Sequence, residues 1–202
     1  MADLYIFTYG TLFYPDKAAN PRPRPGVDRW FAGLSNGTIE GRAAVLWSVP
    51  EVGRRYALKA AGLPQTAYGG MVHEEQAEEN AGSLAARLGT DLIFLSFSWF
   101  NYADIRLDHG EVPIPEERTD DPRWSTKWRF PEPGMVAAAL KETGVTPGAA
   151  LLVTDTQNED GAGFRLFVPR IYGPHFFLSW PNHERHVKTR RVTRRPLDEW
   201  EK

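Results

Sequence analysis

The sequence predicts an α/β fold: a central parallel sheet with helices on both faces, in a doubly wound three-layer domain. Three observations carry this. Four short runs are apolar throughout rather than alternating, as parallel strands covered on both faces must be. Helical patterns fall between these runs, so strand and helix alternate along the chain. With 202 residues, 42% hydrophobic and 25% charged, the chain is long enough for one well-cored domain and short for two.

The four strand candidates are Leu4–Phe7, Ala43–Trp47, Leu92–Leu95 and Ala150–Val153. A fifth runs from Phe164 to Val168, its apolar character broken by Arg165. Pro25-Gly26-Val27 opens a helix that carries Trp30, Phe31 and Leu34. A second helix spans Glu51 to Leu63, with Gly62 as its stop signal. Glu74 to Leu88 is a third, acidic at its start and with Arg87 near its end, which suits the helix dipole. The fourth, Met135 to Thr143, follows Pro133-Gly134 and is closed by Gly144. Pro21-Arg22-Pro23-Arg24-Pro25 reads as a short stiff connector.

Two regions break the rhythm. Asn101 to Trp128 is rich in Pro, Asp and Arg and too long for an ordinary connection, so it is expected to be an insertion or long loop. Residues 183–195 form the one strongly basic segment, and the expected division is a domain over 1–180 and a basic tail over 181–202. The net charge of -2 gives no global attraction to nucleic acid or acidic membranes. The absence of cysteine excludes disulfides, thiol nucleophiles and cysteine-ligated zinc. No run approaches the roughly 20 apolar residues of a membrane helix. With no basic leader before Leu4, the expectation is a soluble, cytoplasmic protein without a membrane partner.

The segment from Arg129 to Gly163 is the most informative. It reads Arg-Phe-Pro-Glu-Pro-Gly-Met, then a helix, then Ala-Leu-Leu-Val-Thr-Asp155-Thr-Gln-Asn-Glu159-Asp160. It resembles the second half of haloacid dehalogenase (HAD) phosphatases, where Lys-Pro-x-Pro-Gly-Met precedes a helix, a strand and an acidic turn. The Pro-Gly-Met flavour is similar to the subgroup of polynucleotide 3′-phosphatases and histidinol-phosphate and heptose-bisphosphate phosphatases. Ile6-Phe7-Thr8-Tyr9-Gly10-Thr11-Leu12 resembles the family's first motif, a strand followed by Asp-x-Asp-Gly-Thr-Leu. Ser48 stands where the family places a phosphate-binding Thr or Ser, and Tyr172 to Phe177 fits the subgroup's C-terminal end. The likeness spans about 1–178.

The resemblance implies a HAD-like Rossmannoid sheet of order 3-2-1-4-5, with strands one and four opening on one crevice. In that family the first Asp attacks phosphorus and the second is an acid/base. A Lys offsets the charge of the transferring group, and acids after strand four complete a Mg²⁺ site. This chain departs from the pattern at its centre. Phe7 replaces the nucleophile, Tyr9 the acid and Phe130 the lysine. A phenyl ring neither attacks phosphorus nor ligates Mg²⁺. The subgroup's zinc loop would fall in 97–128, which holds His109 and no cysteine, so that zinc is not expected.

Candidates remain around this degenerate centre. Asp155, Glu159 and Asp160 are a cation site or a solvated, helix-capping turn, so the cofactor is none or weak Mg²⁺. Thr11 and Ser48 are phosphate ligands or ordinary turn residues. Lys127 and Arg129 flank Phe130 and either replace the missing lysine's charge or are solvated loop cations. Lys188, Arg190, Arg191, Arg194 and Arg195, with Trp180 and Trp200 for stacking, offer nucleic-acid contact, or form an exposed charge run. Trp99, Trp124 and Trp128 bracket the insertion.

The leading expectation is a pseudophosphatase, a HAD-like scaffold that binds a protein, nucleic-acid or phosphorylated partner. One alternative is an atypical Mg²⁺-dependent phosphatase that recruits Asp104, Asp108 or Glu111 from the insertion. Another is a nucleic-acid-binding protein that uses the basic tail. Tyr9-Gly10-Thr11-Leu12 is also similar to the substrate-binding turn of γ-glutamylcyclotransferase-like proteins, though nothing downstream supports that family. If the rings of Phe7, Tyr9 and Phe130 pack together, the crevice is closed; if Tyr9 turns away, a cleft remains.

Overall fold

The computed structural model describes residues 2–14, 21–98, 120–172 and 175–178. Five parallel strands form one sheet in the order β3-β2-β1-β4-β5, the expected 3-2-1-4-5 arrangement. They are β1 (Leu4–Thr8), β2 (Arg42–Ser48), β3 (Ile93–Ser96), β4 (Ala150–Thr154) and β5 (Arg170–Tyr172). The helices are α1 (Tyr9–Leu12), α2 (Val27–Ser35), α3 (Pro50–Ala60), α4 (Glu74–Leu88), α5 (Gly134–Thr143), α6 (Gln157–Arg165) and α7 (His175–Leu178). Among the described residues, no helix is long and apolar enough to cross a membrane.

The apolar runs are explained by burial on both sides. Successive strand residues point to opposite faces. Tyr5, Phe7, Ala43, Val45, Leu151 and Val153 join one core cluster with Trp30 and Phe31 of α2, Leu84 and Leu88 of α4, and Phe176 and Phe177 of α7. Leu4, Ile6, Ala44, Leu46, Ala150 and Leu152 join the other with Met135, Val136, Ala139 and Leu140 of α5 and Ala162 of α6. Both β1 and β4 are buried along their whole length. This is the three-layer arrangement.

Local signals account for the helix ends. His73 caps α4 by accepting the Gln76 N–H, and Gly89 ends it in the left-handed region at φ 67°. Gly134 at the start of α5 has a different reason. A Cβ there would lie 2.5 Å from the Lys127 carbonyl oxygen and 2.7 Å from the Trp128 Cα. The Pro-Gly-Met turn can therefore nest against the preceding backbone only with glycine.

The fifth strand differs from expectation. Phe164 and Arg165 complete α6, and the strand begins only at Arg170. Gly161 and Gly163 lie inside α6 and serve close packing. A Cβ on Gly163 would come within 2.7 Å of Leu152 Cδ2, and one on Gly161 within 3.1 Å of Pro131 Cβ. The helix ends at Arg165, and, two residues on, Phe167 stands at φ 57° with its ring exposed.

The last part of the expected insertion is firmly docked. Arg123 reaches Asp121, Glu74 and Glu78, its Nη1 lying 2.6 Å from Glu78, while its backbone carbonyl accepts the Phe97 N–H at 2.8 Å. The hydrogen bonds to Asp121 lead the effects that raise the Arg123 pKa above its ordinary value. Trp128 Nε1 donates to the Leu95 carbonyl at 2.7 Å, and Trp124 is buried against Phe97. Thus 120–128 covers the end of β3; Trp99 and the rest of the expected insertion lie outside the described residues.

Candidate functional site

The crevice at the carboxyl ends of β1 and β4 is built from their last residues and the turns that follow. Thr8 ends β1, fully buried, and its Oγ1 donates to Glu159 Oε2 at 2.9 Å. The same carboxylate oxygen accepts the N–H groups of Asp155 at 2.7 Å and Thr156 at 3.1 Å. Thr156 Oγ1 in turn accepts the Glu159 N–H, completing a capping box that starts α6. Burial pushes the Glu159 carboxyl above its ordinary value, against the opposing pull of these donors. Asp160 accepts the buried Thr154 hydroxyl at 2.5 Å. The acidic turn is satisfied mainly by the chain itself.

Asp155 has a different partner. Arg24 Nη2 lies 3.2 Å from Asp155 Oδ2, and Arg24 Nε donates to the Gly10 carbonyl at 2.7 Å. The Arg24 and Asp155 side chains are 19% and 26% exposed, so the pair sits at the edge of solvent. The connector positions this guanidinium by folding back along the end of α1. Arg24 N–H donates to the Leu12 carbonyl, Tyr14 N–H to the Arg22 carbonyl, and Phe13 pairs with Pro23. Glycine at position 10 leaves room, since a Cβ there would lie 3.1 Å from Asp155 Oδ2. Reading 21–25 as a connector missed Arg24. The available signal was a cation held in a proline-stiffened strip just after the first motif.

The three aromatics go three ways. Phe7 is fully buried, its ring 4.8 Å from Trp30 and 5.6 Å from each of Phe31, Phe176 and Phe177. It belongs to the core beneath the sheet. Tyr9 leans toward β2, stacked on Trp47 at 4.5 Å with an interplanar angle of 8°, and lies 5.1 Å from Phe13. Trp47 is on the opposite side of β1 from Asp155. Phe130 packs half-buried against the core on the α5 face. The rings do not unite to plug the crevice, and Tyr9 turns away from the acidic turn.

No protein-family model matches the chain, and no curated protein sequence matches it. Solved structures do. A protein from Mesorhizobium loti assigned as a HAD-like phosphatase aligns at TM-score 0.50 and 17% identity, over 83% of this chain and 69% of that one. A D,D-heptose 1,7-bisphosphate phosphatase from B. bronchiseptica, complexed with magnesium and phosphate, aligns at TM-score 0.48 and 17% identity, over 88% and 86%. The chain has the fold of the HAD-like phosphatases.

Within this HAD-like frame, the remaining candidates have the following places. Thr11 is fully buried and its hydroxyl donates to the Thr8 carbonyl at 2.7 Å, a bond that closes the α1 turn. Ser48 is exposed at the end of β2, in register with Ser96. Lys127 is exposed, and its carbonyl accepts the Gly134 N–H. Arg129 is half-buried, and its carbonyl accepts the Glu132 N–H. Both therefore shape the Pro-Gly-Met turn through their backbones. The structure brings together Thr8, Gly10, Arg24, Asp155 and Glu159, of which only the two acids stood among the site candidates. Lys188, Arg190, Arg191, Arg194 and Arg195, like Asp104, Asp108 and Glu111, lie outside the described residues.

Among the described residues, the donor set does not fit Mg²⁺. That ion needs several oxygens in octahedral array. Asp155 faces a guanidinium, one Glu159 oxygen holds three donors, Asp160 holds Thr154, and Phe7 and Tyr9 bring no carboxylate to β1. Among the described residues, no group of three or more His, Cys, Asp or Glu side chains is placed to hold a metal.

Proposed function

We propose that this HAD-like chain is a pseudophosphatase, a scaffold that acts by binding a protein, nucleic-acid or phosphorylated partner rather than by phosphoryl transfer. The observation that carries the reading is the place of Phe7. Phosphoryl transfer to an enzyme carboxylate needs an oxygen nucleophile at the tip of β1. There the chain has a ring enclosed by Trp30, Phe31, Phe176 and Phe177. Thr8 and Glu159 form a hydroxyl–carboxylate pair beside it, but Thr8 has no exposed surface to meet a substrate. The lean of Tyr9 onto Trp47 leaves the tip of β1 without an acid to protonate a leaving oxygen.

The test is phosphate release from p-nitrophenyl phosphate and from a 3′-phosphorylated oligonucleotide, with Mg²⁺ present. Release is expected to equal the protein-free blank, and Asp155→Asn to change nothing. Robust release that disappears in Asp155→Asn overturns the reading in favour of an atypical phosphatase.

A further inference from the structure

We infer that the Arg24 guanidinium is a built-in cation at the Asp155 end of the crevice, taking the electrostatic place of a divalent metal and making this turn metal-independent. The inference concerns charge balance and stands apart from the question of turnover. Asp155 lies at the tip of a strand buried throughout its length, beside Glu159, a second acid that is half-buried. Such a grouping requires a positive counter-charge, because like charges held close in a partly desolvated site repel. A bound metal is one solution. A tethered guanidinium is another, and it carries its own geometry.

Arg24 meets the requirements of that role. Its Nη2 pairs with Asp155 Oδ2 at 3.2 Å, while Nε is anchored on the Gly10 carbonyl at 2.7 Å. One cation thus ties the turn after β1 to the turn after β4, as a bridging ion would. Its approach is set by the backbone, since its own N–H is bonded to the Leu12 carbonyl and its carbonyl accepts the Val27 N–H. The guanidinium already occupies Asp155 Oδ2, so a second cation would compete with it for this carboxylate.

The experiment measures the thermal midpoint of the full chain with and without millimolar Mg²⁺, and Tb³⁺ luminescence as a direct reading of cation binding. The wild-type midpoint is expected to be indifferent to Mg²⁺. Arg24→Met should lower it by roughly 2–4 °C, as loss of about one partly buried ion pair implies for a chain of this size. That variant should bind Tb³⁺ at least about tenfold more tightly than wild type, a difference of one decade in Kd. Adding Asp155→Asn should erase the gain. Arg24→Gln, which keeps a donor near Gly10, serves the same comparison if the Met variant does not fold.

Two results overturn the inference. One is a wild-type midpoint that rises with Mg²⁺ and ceases to do so in Asp155→Asn. The other is a folded Arg24 variant as indifferent to both cations as wild type. Neither depends on phosphate release, so failure here leaves the functional reading to its own test.

Discussion

β1 and β4 are neighbours in the centre of the sheet, equal in length and equally buried, yet their tips are chemically opposite. β1 ends in Phe7 and Thr8 and runs into Tyr9, and the two rings are drawn into apolar contacts on either side. β4 ends at Thr154 and is followed by Asp155, with Glu159 and Asp160 on the next helix, and these acids are held by hydroxyls, backbone N–H groups and Arg24. The contrast teaches that burial along a strand does not set the chemistry at its end. One tip has become an extension of the core. The other is a closed polar network.

The largest effect should come from attacking the apolar tip. Phe7→Ala is expected to destabilise the fold by about 3–5 kcal/mol, the usual range for emptying an aromatic site in a core. Phe7→Asp should be worse, because it adds an unpaired carboxylate to the same cavity. Urea unfolding followed by circular dichroism measures both. A Phe7→Asp protein of near wild-type stability would mean that the position faces the crevice, and the contrast between the two tips would collapse.

A smaller effect is expected where Tyr9 meets Trp47. Their near-parallel stack predicts a coupling energy of about 0.5–1.5 kcal/mol in a double-mutant cycle of Tyr9→Ala and Trp47→Ala. Additive single effects would show that Tyr9 is not held against β2, leaving it available to turn toward Asp155.

The smallest effect belongs to the acidic tip and is pH-dependent. Burial raises the Glu159 pKa above its ordinary value, so the folded chain binds that proton more tightly than the unfolded chain. The resulting stabilisation is fully present below the unfolded value and is lost as pH rises through the raised folded value. Glu159→Gln keeps an acceptor in the capping box and removes the titration. Wild type should therefore lose stability relative to this variant as pH rises from the acid side toward neutrality. Denaturant midpoints across that window measure the difference, and parallel curves would show that the Glu159 carboxyl is not desolvated.

How much of this was legible from the residues follows from how local each signal is. The span Glu74–Leu88 was read to the residue, because its acidic first turn and Arg87 are adjacent to the ends they mark. The Phe164–Val168 run misled, since an apolar run of that length is compatible with strand or helix. The Thr156–Glu159 capping box decided for helix, and it is visible in the sequence as Thr-x-x-Glu. Asp155 and Glu159 were legible as members of a site. Arg24 was not, because its partner is 131 residues away in sequence.

The sequence by itself determined the doubly wound class and set aromatic residues at the tip of β1 and just before the Pro-Gly-Met turn. Side-chain type and periodicity are local properties, and they survive in one dimension. Only the tertiary structure decided where each ring went and which cation meets Asp155. Those outcomes depend on which face of β1 a residue occupies and on how the connector 21–25 folds back beside α1. Long-range packing settles such questions, and no local pattern in the chain encodes them.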